Sequence, residues 1–80
     1  MRLDKYLKVS RLIKRRTLAN EACDAGKVFV NGKAARASYE VKENDEIEIS
    51  LGARQLRVQV VSVQETVAKN DAALLYKILP

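Results

Sequence analysis

The spacing of apolar residues changes once along this chain, near Gly26. Before that point apolar side chains recur every three or four residues, as they do on one face of an α-helix. After it they alternate with polar side chains, which is typical of a strand with one buried face. Helices followed by strands, in a chain of 80 residues with room for one core, predict an α+β domain.

The first helix is predicted over residues 2–13. The side chains expected to share its core-facing side are Leu3, Tyr6, Leu7, Ser10 and Ile13. Asp4 falls in the first turn, where a carboxylate suits the helix dipole, and it precedes Lys8 by four residues. Lysines on the opposite side would leave this helix with a basic, solvent-facing surface.

A second helix is predicted over residues 16–25, and Gly26 ends it because glycine adopts positive φ at no steric cost. Its start is unusual. Lys14, Arg15 and Arg16 offer no capping side chain and put positive charge at the positive end of the helix dipole. A nearby phosphate would relieve this unfavourable charge interaction, since helix N-termini attract anions.

The strands are predicted as a small antiparallel sheet of three to five members packed against the two helices. Alternating runs cover residues 28–30, 46–49 and 56–63, and Asn31-Gly32 predicts a hairpin with a type I′ turn. The acidic side chains of residues 43–48 are interpreted as a solvated strand edge, in preference to a catalytic carboxylate pair. Residues 1–63 would thus form the domain.

Residues 64–80 are predicted to form a tail with a short helix. Asn70 or Asp71 would cap this helix. Its apolar stripe would comprise Leu74, Leu75, Ile78 and Leu79. A helix this short is not stable by itself. It therefore docks on its own sheet or, as the alternative, on a partner.

Positive charge is concentrated in one part of the chain. Residues 1–36 carry ten basic and three acidic side chains, whereas residues 37–80 carry five basic and seven acidic ones. Such asymmetry favours one surface that faces a polyanion such as RNA. A basic surface kept only for solubility is the alternative.

Several classes of protein are disfavoured by composition. The chain has no histidine and one cysteine, which removes the commonest general base, an internal disulfide framework and any multi-cysteine zinc site. We therefore expect no metal, no cofactor and no small-molecule substrate. No apolar run is long enough to span a membrane, and the N-terminus lacks the apolar stretch of a secretory signal, so we expect a cytoplasmic protein.

Three short motifs follow one another in a familiar order. Arg2-Leu3-Asp4-Lys5-Tyr6-Leu7 opens the first helix, Ala25-Gly26-Lys27-Val28 and Val30-Asn31-Gly32-Lys33 follow the second, and Val41-Lys42-Glu43-Asn44-Asp45-Glu46-Ile47 comes last. This arrangement resembles the S-four RNA-binding domain, or alpha-L motif. The resemblance implies two N-terminal helices on a small antiparallel sheet, and a non-enzymatic RNA-binding role.

Within this family the chain is most similar to the stand-alone ribosome quality-control members and is related to the fifteen-kilodalton heat-shock protein. The resemblance implies binding to a stalled large ribosomal subunit through its rRNA and the peptidyl-tRNA. It also implies support of the partner RqcH, which adds C-terminal alanine tails to the nascent chain. We expect a monomer.

The expected RNA-binding residues lie in the basic half of the chain. They are Arg2, Lys5, Lys8, Arg11, Arg15, Arg16, Asn20, Lys27 and Lys33. Arg16 is the first choice, because its guanidinium can hold a phosphate through two parallel hydrogen bonds beside a helix N-terminus. Asp4 could orient a neighbouring arginine, meet a basic protein, or serve the helix dipole with Lys8. Arg15 stands where many family members have Ser or Thr.

Three other functions stay open. A heat-shock-type factor would recycle free large subunits without alanine tailing. An accessory domain of an RNA-modifying enzyme is a second possibility, which we disfavour because the chain ends at Pro80 after a complete sheet and a tail. The third is a constitutive ribosomal protein. Co-purification with RqcH and enrichment on stalled large subunits would separate these functions from the preferred one.

Overall fold

A computed structural model describes residues 1–80 and has the α+β architecture that the sequence predicts. The helices are α1 (Leu3–Val9), α2 (Arg16–Asp24) and a 3₁₀ helix (Lys69–Leu75). The strands are β1 (Val28–Val30), β2 (Lys33–Ala34), β3 (Glu46–Leu51), β4 (Arg54–Val60) and β5 (Tyr76–Ile78). No helix is long and apolar enough to cross a membrane.

The sheet has five strands in the order β2-β1-β3-β4-β5, and every neighbouring pair is antiparallel. In the β1–β2 turn, Asn31 and Gly32 have φ of 53° and 84°, the two positive values that a type I′ turn requires. The predicted hairpin is therefore confirmed. Ile47 and Ile49 of β3 are buried, and they set the face of the sheet that supports the helices.

The core lies between α1 and the sheet. Leu3, Tyr6 and Leu7 are fully buried and join the strand residues in one hydrophobic cluster. The Tyr6 hydroxyl donates a hydrogen bond of 2.7 Å to the Leu75 carbonyl, which ties α1 to the C-terminal segment. Burial raises the pKa of Tyr6 well above its ordinary value, so the hydroxyl remains a donor.

The first helix is shorter than predicted, because it ends at Val9 and not at residue 13. Arg11 has φ of 61°, a left-handed conformation that cannot continue an α-helix. The chain reverses there, so Leu12 and Ile13 pack on the core from a bend. Neither glycine nor proline marks this break in the sequence.

The tail docks on the sheet of its own domain, as expected from the sequence, but its secondary structure differs from the prediction. The 3₁₀ helix begins after Ala68 and has no side-chain cap, so neither Asn70 nor Asp71 caps it. The chain then extends into β5, which pairs with β4 at the sheet edge. Because the predicted apolar stripe is divided between helix and strand, Leu75 is buried whereas Ile78 is exposed.

Asp45 also departs from the expected solvated strand edge. Its carboxylate is buried and accepts hydrogen bonds from Asn31 Nδ2 at 3.1 Å, Tyr39 Oη at 2.9 Å and the Lys42 amide at 3.0 Å. Burial raises the pKa of Asp45, but these hydrogen bonds outweigh it and hold the pKa below its ordinary value. Asp45 therefore fastens the β1–β2 turn to the loop before β3.

Candidate nucleic-acid interface

A buried carboxylate joins the N-termini of the two main helices. Asp4 is 2% exposed, and it accepts hydrogen bonds from Arg2 Nε at 3.3 Å, Asn20 Nδ2 at 3.3 Å and the Lys5 amide at 2.8 Å. Arg16 Nε lies 3.3 Å from the second carboxylate oxygen. Asp4 thus contacts two arginines, Arg2 directly before α1 and Arg16 at the start of α2.

Both arginines keep a large part of their surface in water. The side chains of Arg2 and Arg16 are 50% and 47% exposed, and each contacts Asp4 with one edge of the guanidinium. A guanidinium has five N–H donors, so the groups that Asp4 does not engage are available to donate to a phosphate. Of the three roles open for Asp4, this geometry supports the orienting one, since no ion pair joins Asp4 to Lys8 and a buried carboxylate is inaccessible to a partner protein.

The ionisation of Asp4 follows from its partners. Burial raises the pKa of Asp4, but hydrogen bonds from Arg16, Asn20 and the Lys5 amide outweigh it and leave the pKa below its ordinary value. The carboxylate is therefore charged at neutral pH. A charged acceptor strengthens hydrogen bonds from guanidinium groups, which favours the positions of both arginines beside Asp4.

The positive surface continues past the two arginines through shallow grooves. Arg2 and Asn20 share one groove with Arg36, and Arg36 shares the next one with Lys33. We call the surface formed by Arg2, Arg16, Asn20, Lys33 and Arg36 the arginine face. Arg36 was missing from the predicted set. It lies in the basic half of the sequence but in an irregular segment, where no periodicity shows which way a side chain points.

A second cationic group lies at the other end of α1. Lys8, Arg11 and Lys14 line one groove, which we call the lysine groove. Its remaining lining residues are Val9, Glu65, Thr66 and Val67. Lys5 forms an ion pair with Glu65, and their hydrogen bond holds the pKa of Glu65 below its ordinary value. Lys14, like Arg36, was absent from the predicted set.

The predicted residues therefore divide among several positions. Arg2, Arg16, Asn20 and Lys33 belong to the arginine face, and Lys8 and Arg11 belong to the lysine groove. Lys5 lies beside that groove, where it forms an ion pair with Glu65. Arg15 and Lys27 are exposed but line neither surface. Arg15 precedes α2 in extended conformation and gives it no side-chain cap, as the sequence predicts.

Cys23 lies on the inner side of α2 and does not extend the site. It is buried, and burial, followed by the nearby carboxylates of Asp4 and Asp24, raises the pKa of its thiol to about 11. The thiol is therefore neutral at physiological pH, and Cys23 serves as a small core residue. No group of three or more His, Cys, Asp or Glu side chains could hold a metal ion.

The fold and its charge place the chain in a recognisable class: an α+β domain with two opening helices that carry cations on an antiparallel sheet. Residues 1–47 match the S4 domain, and the chain belongs to that family. It is 54% identical to the RQC P-site tRNA stabilizing factor of Halalkalibacterium halodurans, over 98% of this chain and 89% of that protein. It is 52% identical to the factor of the same name from Bacillus subtilis, over 99% and 92%.

A solved structure shows the same fold. The heat shock protein 15 of Vibrio cholerae, described as trimeric, superposes with a TM-score of 0.91 at 29% identity, and the match covers 99% of this chain and 81% of that one. The expected S-four architecture and the similarity to ribosome quality-control and heat-shock members are confirmed.

Proposed function

We propose that this protein is a non-enzymatic RNA-binding factor of ribosome quality control, which binds large-subunit rRNA and tRNA. The observation that carries the proposal is the pair Arg2 and Arg16, held by the buried Asp4 with their outer N–H groups exposed. The names of the Halalkalibacterium and Bacillus relatives support a role at P-site tRNA.

The geometry suits a phosphate backbone better than a base edge. Arg2 and Arg16 both contact the same carboxylate, and each guanidinium can donate parallel hydrogen bonds to the oxygens of one phosphate. Contacts of this kind position a protein on a folded RNA without selecting sequence. The protein therefore recognises the shape of the folded RNA and the arrangement of its phosphates. A factor that distinguishes one state of the ribosome from another requires this kind of recognition.

We further propose that the bound state is a stalled large subunit carrying peptidyl-tRNA, and that the protein supports alanine tailing by RqcH. The high identity to the two quality-control relatives along nearly the whole chain supports this assignment. We propose that the protein acts in the cytoplasm as a monomer. Sedimentation equilibrium tests the monomer, and a trimer is the defined alternative because the Vibrio relative is described as trimeric.

A second candidate function is the recycling of free large subunits, as in a heat-shock-type factor. The fold match to heat shock protein 15 favours it. Pull-down from cells with stalled translation separates the two functions. Recovery of RqcH together with peptidyl-tRNA supports the first, whereas recovery of large subunits without RqcH supports the second.

Arg16→Ala tests the proposal directly. The variant loses one phosphate contact, so we expect weaker binding to large ribosomal subunits and a slope of log K against log salt that is smaller by about one. Arg54→Ala is the matched control, because Arg54 is exposed in β4 and forms no ion pair. If Arg16→Ala binds like the Arg54 control, the arginine face is not the RNA surface.

A further inference from the structure

The lysine groove contains three cations without anionic partners. Lys8, Arg11 and Lys14 are exposed, and none of them forms an ion pair. Three like charges around one groove repel each other, and this repulsion is relieved when an anion lies between them.

The path of the backbone brings these three side chains together. Lys8 is in the last turn of α1, and the left-handed conformation of Arg11 reverses the chain directly after it. Lys14 therefore returns to the end of the helix and does not continue away from it. Had α1 run to residue 13, as predicted, these side chains would lie along a longer helix without enclosing a groove with the tail.

The tail places one carboxylate at this groove. Glu65 lines it and forms an ion pair with Lys5, and Thr66 and Val67 complete the wall. Glu65 is itself 68% exposed, so no packing forces it into this position. A carboxylate oxygen and a phosphate oxygen accept the same hydrogen bonds from Lys and Arg.

We propose that the lysine groove is a second RNA-phosphate site, separate from the arginine face, and that the Glu65 carboxylate in its wall weakens phosphate binding by repulsion. The proposal rests on the proposed RNA-binding function and extends it. A seven-residue helix such as α1 is about 10 Å long, which is within the reach of adjacent phosphates of one RNA backbone. One RNA backbone can therefore contact Arg2 at the start of α1 and Lys8 at its end.

RNA is favoured over an acidic protein because the groove lies on the same short helix as the arginine face. Cations at both ends of α1 suit a ligand with regularly repeated negative charge. The groove also has little apolar lining, limited to Val9 and Val67, whereas protein interfaces have an apolar centre.

Two variants acting in opposite directions test the second site, with large ribosomal subunits as the probe. Glu65→Gln removes a negative charge from the groove wall, and we expect affinity to rise about two- to fivefold at low salt. Lys14→Ala removes one phosphate contact, and we expect the salt slope to fall by about one. In the double variant the increase in affinity caused by Glu65→Gln should be smaller, because Lys14→Ala has removed one of the cations of the groove.

Glu43→Gln and Lys69→Ala are the controls, since both residues are exposed and lie outside the groove. Urea unfolding of each variant shows whether tail docking is intact. Unchanged affinity and salt slope in both Glu65→Gln and Lys14→Ala would overturn the second site, as would weaker binding by a fully folded Glu65→Gln. If Arg16→Ala weakens binding in the same assay while these variants do not, only the second site fails. If Arg16→Ala also has no effect, the proposed function fails.

Discussion

Two buried aspartates organise this molecule in similar ways and for different purposes. Asp4 and Asp45 each accept several hydrogen bonds, and in each case those bonds hold the pKa below its ordinary value against the effect of burial. The donors to Asp4 include two half-exposed guanidinium groups, whereas the donors to Asp45 are the neutral groups of Asn31, Tyr39 and the Lys42 backbone.

The hydrogen-bond donors around a buried carboxylate determine its role. The donors to Asp45 carry no charge, so its network fixes the β1–β2 turn without presenting a cation to a phosphate. Charged donors with unused N–H groups turn the same arrangement into a support for binding. Removal of Asp45 should therefore damage mainly stability, and removal of Asp4 should damage both stability and binding.

The largest effect is expected for Asp45→Ala, which leaves the Asn31, Tyr39 and Lys42 donors without their acceptor. We expect the free energy of unfolding to fall by about 3 kcal/mol, since each of the three hydrogen bonds to this carboxylate contributes about 1 kcal/mol or more. Urea unfolding measures this. RNA affinity of the folded fraction should fall less than in Asp4→Asn, and an equal or larger loss of affinity would contradict the proposed division between the two aspartates.

A smaller loss of stability is expected for Asp4→Asn, about 1–2 kcal/mol, because the amide keeps one acceptor oxygen but loses the charge. RNA affinity should fall about fivefold, equivalent to about 1 kcal/mol, since both arginines become mobile. Binding to large subunits, measured on protein shown to be folded, tests this. Full affinity in Asp4→Asn would show that Arg2 and Arg16 need no support from the carboxylate.

The smallest effect is the acid sensitivity shared by both aspartates. Their pKa values are lower in the folded than in the unfolded chain, so their stabilisation is complete above the unfolded pKa of about 4 and is lost as pH falls through the folded pKa. Urea unfolding from pH 6 to pH 3 should show falling stability. In Asp45→Ala the fall should be smaller, and an unchanged pH dependence would contradict the assigned pKa direction.

Local signals in the sequence predicted much of the fold. Gly26 and Asn31-Gly32 marked the end of α2 and the first hairpin correctly, because the conformations of these residues depend on themselves and their neighbours. Strand β5 was not predicted. Its three residues pair with β4 only because the tail has already docked, and their spacing also fits a helix.

The sequence predicted which types of residue form the candidate site, but it did not predict how these residues are arranged. The excess of cations in residues 1–36 indicated an RNA-facing surface, but the division between an arginine face and a lysine groove depends on where α1 ends. The helix ends there because Arg11 adopts positive φ. Arginine rarely adopts this conformation, so the sequence did not predict it.

The sequence by itself determined the α+β order of elements, the tight turns and the concentration of positive charge, since these follow from preferences that act over a few residues. Only the tertiary structure decided which charges meet. Asp4 and Asn20 are 16 residues apart, and Lys5 and Glu65 are 60 apart. Contacts over such separations depend on the whole path of the chain, and packing of the core sets that path.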